Sequence, residues 1–218
     1  MTMSKKFFLA TFFALLAASP MYAGINPQAL EILDKTSSLY KNKGDMQLEM
    51  NIVFKDEKTK SEKSAKGTLK TQGRKFLMDT EFAEMLFDGK YMYVYASDAG
   101  ELTITEPDHE EMSGMDPTAI LELYKKNFKV EAPETVKKNG KNLYSIDLFP
   151  ENLNAEFFKL NITVNQNDYS IYSVSTYAKN GVTNTIEINK TSVGQNFPED
   201  MFVFNQAKYP DAILIDLR

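Results

Sequence analysis

Apolar residues alternate with polar ones along most of this chain, and the stretches that break the alternation mark its helices and loops. Met46, Leu48, Met50, Ile52 and Phe54 alternate with Gln47, Glu49, Asn51 and Lys55, the period of a strand with one buried face. Phe158, Leu160, Ile162 and Val164 do the same against Lys159, Asn161 and Thr163. Arg74, Phe76 and Met78 fall on one face of a further strand. Strands are also predicted over 67–71, 101–105, 128–136, 143–149, 171–178 and 182–189, with a last short one at Phe202-Val203-Phe204. The apolar tail Tyr209–Arg218 reads as an added edge strand. Residues Lys55–Lys66 read as a charged turn.

The hairpin signals are strong. Asp88-Gly89, Asn139-Gly140 and Asn180-Gly181 suit type I′ turns, whose two central residues both need positive φ. The first lies within Phe87–Tyr95, where Tyr91, Tyr93 and Tyr95 share one strand face and Met92 and Val94 the other. A sheet that is tyrosine-rich on one side and apolar on the other suits a large object lying on it.

Two stretches switch to helical spacing. Asn26 can cap a helix with Pro27 at its first position, and Ala29, Ile32, Leu33, Thr36 and Leu39-Tyr40 then form one face up to Lys41–Gly44. Asp116-Pro117 repeats the start signal, and Ile120, Leu121, Leu123 and Tyr124 make an apolar side closed by Lys125-Lys126. Between the strand blocks and this second helix, Glu106–Asp116 has no strand period and carries Met112 and Met115. A mobile, Met-bearing loop followed by a short amphipathic helix reads as a lid. The sum is a mainly β chain with helices (α+β): about a dozen antiparallel strands in one curved sheet or barrel, with two helices to cover its concave side.

Composition narrows the setting. Lys5 and Lys6 precede the apolar run Phe7–Ala18, the form of a secretory signal too short to span a membrane. Cleavage is expected after Ala23, leaving residues 24–218 as a single domain bound for an extracytoplasmic space. The chain's net charge of −5 becomes about −7 without the two leader lysines. An acidic chain is a poor partner for nucleic acid, which needs basic patches. Phe and Tyr number 15 and 11 with no Trp, and Met reaches 11. Methionine adapts to varied apolar partners, and it also simply fills cores.

Chemistry is poorly represented. There is one histidine, His109, and no cysteine. No serine stands in a Gly-x-Ser-x-Gly elbow, so no enzymatic activity and no cofactor are expected. Glu106, Asp108, His109, Glu110 and Glu111 lack the spacing and central glycine of a calcium loop and read as a solvated loop. Arg74 has two readings. On a concave apolar face its guanidinium needs acceptors such as lid carbonyls; on a rotated strand it faces water.

In order along the chain, Gly67-Thr68-Leu69, Lys75-Phe76, Phe87-Asp88-Gly89-Lys90-Tyr91-Met92-Tyr93-Val94-Tyr95, Asp116-Pro117 with Ile120-Leu121, and the ending Ile215-Asp216-Leu217-Arg218 resemble the LolA family of periplasmic lipoprotein carriers. That resemblance implies an open, incomplete antiparallel β-barrel with an N-terminal helix and a central helical lid over an apolar cavity. It implies a monomeric carrier that takes acylated lipoproteins from an inner-membrane ABC transporter to an outer-membrane receptor or the membrane itself. The family's lid-holding arginine precedes a proline; here Gly73-Arg74 offers an arginine without that proline, so Arg74 is the candidate latch. The expected lipid-binding residues are Met50, Ile52, Phe54, Arg74, Phe76 and Met78 with lid residues Ile120, Leu121 and Tyr124. Phe76→Glu is then expected to abolish lipid capture with the fold intact. The alternatives are an envelope interaction or sensor module on the same fold, and a carrier of another amphiphile such as a glycolipid.

Overall fold

The computed structural model describes residues 24–41, 44–107 and 120–218, apart from the side chains of 120, 122 and 123. The signal segment and the acidic loop with His109 lie outside them. Among the described residues one 13-stranded sheet dominates. Its strands are β1 (Met46–Asp56), β2 (Ser61–Gln72), β3 (Lys75–Thr80), β4 (Ala83–Phe87), β5 (Met92–Ala96), β6 (Glu101–Thr105), β7 (Phe128–Val130), β8 (Glu134–Lys138), β9 (Lys141–Pro150), β10 (Phe157–Asn165), β11 (Ile171–Ala178), β12 (Val182–Val193) and β13 (Ile213–Asp216). The order is β13-β6-β5-β4-β3-β2-β1-β12-β11-β10-β9-β7, with β8 also on β9. Every named pairing is antiparallel except β13 on β6. The path has two ends and does not close, so the barrel is open, as expected.

Alternation decides which side is dry. Met46, Leu48, Met50 and Ile52 of β1, Leu69 of β2, Phe76 and Met78 of β3, and Leu160, Ile162 and Val164 of β10 all enter one buried cluster on the concave face. The charged turn is shorter than expected. Asp56 pairs with Ser61, so β1 and β2 run on through Lys63 and Lys66, because an exposed strand face accepts lysine as readily as a loop does. The strand expected over 128–136 is instead two pieces, β7 and β8, with both laid along β9.

The turns divide by their backbone. Asn139 and Gly140 both have positive φ, 49° and 76°, the type I′ form. At Asp88-Gly89 only the glycine is left-handed, with φ 103°. Four residues separate the paired Phe87 and Met92, and the Asp88 carboxylate accepts from the backbone N–H of Lys90 and Tyr91, both at 2.8 Å. That side-chain cap replaces the two-residue turn. Asn180-Gly181 follows the same rule, with positive φ at the glycine alone.

The tyrosine face of the β4–β6 hairpins is covered too. Tyr91, Tyr93 and Tyr95 join Leu86, Leu102, Ile104 and Phe202 in a second cluster closed by Phe197, Phe204 and Tyr209. The Phe204 ring stacks on Tyr93 at 4.1 Å. Phe202 ends a 3-10 turn, Glu199–Phe202, rather than forming a strand. The tail does add an edge strand, β13, as the apolar ending predicts.

Candidate functional site

Two helices roof the concave cluster. Helix α1 (Pro27–Lys41) starts where expected: the Asn26 side-chain oxygen accepts from the N–H of Gln28 at 3.0 Å and Ala29 at 3.2 Å. Its foot is tied to β7, with Asn26 N–H donating to the Val130 carbonyl at 3.0 Å and Val130 N–H to Gly24 at 2.9 Å. It buries Ala29, Ile32, Leu33, Thr36, Ser37 and Tyr40. At its far end the Tyr40 hydroxyl accepts from the Ile171 N–H at 3.1 Å. Burial raises the Tyr40 phenol above its ordinary range, because the charged form would lose its water.

Helix α2 (Ile120–Asn127) runs directly into β7, so its C-terminal end is fixed to the sheet. It lies against α1: Ser37 Oγ donates to the Leu121 carbonyl at 3.3 Å, the Tyr124 hydroxyl donates to Asp34 Oδ1, and Lys125 Nζ reaches the same oxygen at 2.6 Å. Later residues of α1 meet earlier residues of α2, so the helices run antiparallel. Leu121 and Tyr124 point down into the concave cluster, while the Lys125 and Asp34 side chains stay about two-fifths exposed.

The expected lipid-binding residues separate by depth. Met50, Ile52, Phe76, Met78, Leu121 and Tyr124 all belong to the one buried cluster. Phe54, on the same strand face as Ile52, is 37% exposed and stands just beyond the packed interior. Ile120 lies in α2, and its side chain is outside the described set. Arg74 is exposed in the β2–β3 turn and makes no ion pair among the described residues. It lines a cleft of about 370 Å³ at one rim of the roof, with Lys41, Ser37, Tyr40, Thr71 and Leu121. The lid loop that precedes α2 lies outside the described residues.

Sequence reasoning missed Asp34. It occupies the polar edge of α1, where a carboxylate signals only solvent, and its partners lie 90 residues or more away along the chain. Phe157 was missed as well. A bulge in the β10–β11 register between Phe157 and Lys159 puts Phe157 in the concave cluster and leaves Phe158 51% exposed. One inserted residue reverses which side chains face inward.

The arrangement is a sheet with a continuous Met- and Phe-bearing concave face under two amphipathic helices. No group of three or more His, Cys, Asp and Glu residues is placed to hold a metal among the described residues, and no described helix is long and apolar enough to cross a membrane.

Comparison with known proteins agrees with this architecture. A family described as outer membrane lipoprotein carrier protein LolA matches residues 20–177. No curated protein matches the chain. Among solved structures, an uncharacterized conserved protein from Thermus thermophilus superposes with a TM-score of 0.54 at 10% identity, covering 86% of this chain and 98% of its own. A LolA superfamily protein from Nitrosomonas europaea gives 0.45 at 10% identity, covering 82% and 99%. The Mycobacterium tuberculosis lipoprotein LppX gives 0.45 at 13%, covering 78% and 99%. The Thermus structure, at that identity, speaks to the fold alone.

Proposed function

The chain belongs to the family of outer membrane lipoprotein carrier protein LolA, and from that premise we propose that it is a periplasmic carrier of acyl chains. Its single domain, residues 24–218, follows a cleaved signal at 1–23. It binds the lipid of lipoproteins released by an inner-membrane ABC transporter and delivers them to an outer-membrane receptor or to that membrane. The carrier step involves no bond chemistry and no cofactor.

One observation carries this reading: the roof over the concave face is amphipathic, with apolar side chains turned onto the interior and charged ones outward. Leu121 and Tyr124 fill the interior from α2, and withdrawing each costs about 1.5–3 kcal/mol of apolar burial. An acyl chain returns about 0.8 kcal/mol per buried methylene, so roughly ten methylenes in the same space more than offset both. The lining of Met46, Met50, Met78, Met92 and Phe76 suits this exchange, since unbranched thioethers repack around different shapes.

The interior is filled by the protein's own side chains, with Leu48, Leu69, Ile146, Leu148, Leu160 and Ile162 all at 0% exposure. That observation favours a second reading, an envelope interaction module on the same fold.

Native mass spectrometry of residues 24–218 purified from periplasm, with organic extraction, separates the two. A bound acyl species, or capture of a triacylated peptide but not its unacylated form, supports the carrier, and the extracted headgroup tells lipoprotein from glycolipid. An empty protein that also binds no hydrophobic dye assigns the interaction module.

A further inference from the structure

The contacts between α1 and α2 are of two kinds, and only one kind survives exchange with a ligand. Leu121 and Tyr124 meet the interior through apolar surface, which an acyl chain can replace atom for atom. The Asp34 carboxylate accepts from the Tyr124 hydroxyl and pairs with Lys125 Nζ at 2.6 Å. A hydrocarbon can replace neither contact. The polar contacts therefore set the difference in free energy between a roof that is down and a roof that is lifted over cargo.

We propose that Asp34 is the positioning residue that latches α2 over the apolar interior. The inference rests on the carrier reading for its purpose, but the latch is defined by geometry that does not depend on it. Three features support the assignment. The carboxylate lies on α1, which is anchored at both ends: at Val130 through Asn26 and at Ile171 through Tyr40. Its partners lie on α2, which is covalently continuous with β7 only at its C-terminal end. Both partners converge on one oxygen, Asp34 Oδ1, so loss of a single group releases two contacts. Ser37 to the Leu121 carbonyl, at 3.3 Å, is a longer third contact one turn further along. Arg74, on the β2–β3 turn, reaches none of these groups.

The test is hydrogen exchange over residues 120–127 together with binding of the hydrophobic dye ANS, in wild type, Asp34→Asn, Tyr124→Phe and the double variant. Asp34→Asn keeps size and removes charge, and Tyr124→Phe keeps the buried ring and removes the hydroxyl. The expected result is exchange about tenfold faster at 120–127 in Asp34→Asn, equivalent to ~1.4 kcal/mol, with raised dye binding and unchanged exchange in β1, β10 and β12. Because the asparagine amide oxygen can still accept from the Tyr124 hydroxyl, but more weakly than a carboxylate, Tyr124→Phe should open α2 less in the Asp34→Asn background than in wild type, a coupling that a general loss of stability would not produce. Unchanged exchange at 120–127 in Asp34→Asn overturns the latch, even if wild type captures a triacylated peptide. Faster exchange spread evenly over the strands overturns it too. Faster exchange confined to α2, in a protein that captures no acylated peptide in any form, upholds the latch and removes the carrier reading instead.

Discussion

Replacing Phe76 with alanine tests whether the concave interior is both packed and exchangeable. Phe76 is 1% exposed, opposite Thr71 on β2 and Phe87 on β4, with its ring 5.9 Å from that of Phe87. Truncation loses the transfer free energy of the ring, the ring–ring contact and the packing around the space left behind. For a phenylalanine this deep the sum is about 3–5 kcal/mol. Set against a total stability of roughly 5–15 kcal/mol, the variant should stay folded with its midpoint lowered on the order of 10 °C. A ligand that enters the interior should restore part of the loss, by about 2.7 kcal/mol at a hundredfold excess over its Kd. The assay is urea unfolding of wild type and variant, with and without a triacylated peptide. A loss below about 1 kcal/mol would show that Phe76 is not packed as described. A full loss with no recovery on adding the peptide would refute the interior as the acyl site. The same burial revises the expectation for Phe76→Glu. A carboxylate there has no partner and costs about 3–5 kcal/mol, so loss of binding in that variant would report unfolding as readily as a blocked site. Phe54→Glu, at the exposed margin of the same strand face, makes the cleaner charge probe.

Two further outcomes follow from local contacts. Asn26→Ala removes the cap that accepts from Gln28 and Ala29 and should lower stability by about 1 kcal/mol, with faster hydrogen exchange confined to the first turn of α1; an unchanged denaturation midpoint would contradict the cap. Tyr209 donates to Glu84, and burial followed by that carboxylate raises its phenol well above the ordinary 10.0. A raised folded-state value means its contribution to stability is fully present below pH 10.0 and declines as pH climbs beyond it. Stability measured from pH 9 to 12 should therefore fall more steeply in wild type than in Tyr209→Phe, and parallel curves would sink the assignment.

The strand faces of β1, and of β10 from Leu160 onward, were legible because a period of two is local: each residue's side is set by its neighbours alone. The helix start at Asn26 was legible for a similar reason, since a cap needs only the next three residues. The Asn139-Gly140 turn was readable from the dipeptide, yet the same signal at Asp88-Gly89 led to a four-residue connection. There the aspartate carboxylate competed successfully for the backbone N–H groups of Lys90 and Tyr91. The stripe of Tyr91, Tyr93 and Tyr95 was visible, but not its cover. Phe197, Phe202, Phe204 and Tyr209 have irregular spacing, and nothing local says which sheet face such residues will meet.

The sequence by itself determined the class of fold, the buried face of its long strands and the presence of amphipathic elements to lie on them. Each of these follows from periodicity and from backbone preferences that act over a few residues. Only the tertiary structure decided how deep each apolar residue lies and which helix residues hold the roof. Phe54 and Ile52 share one strand face, yet only Ile52 is buried and joins the packed interior. Asp34 became the partner of Tyr124 and Lys125 because both helices are anchored on β7 and meet antiparallel. A contact between residues 90 positions apart depends on the path of the whole chain between them, and no local pattern carries that information.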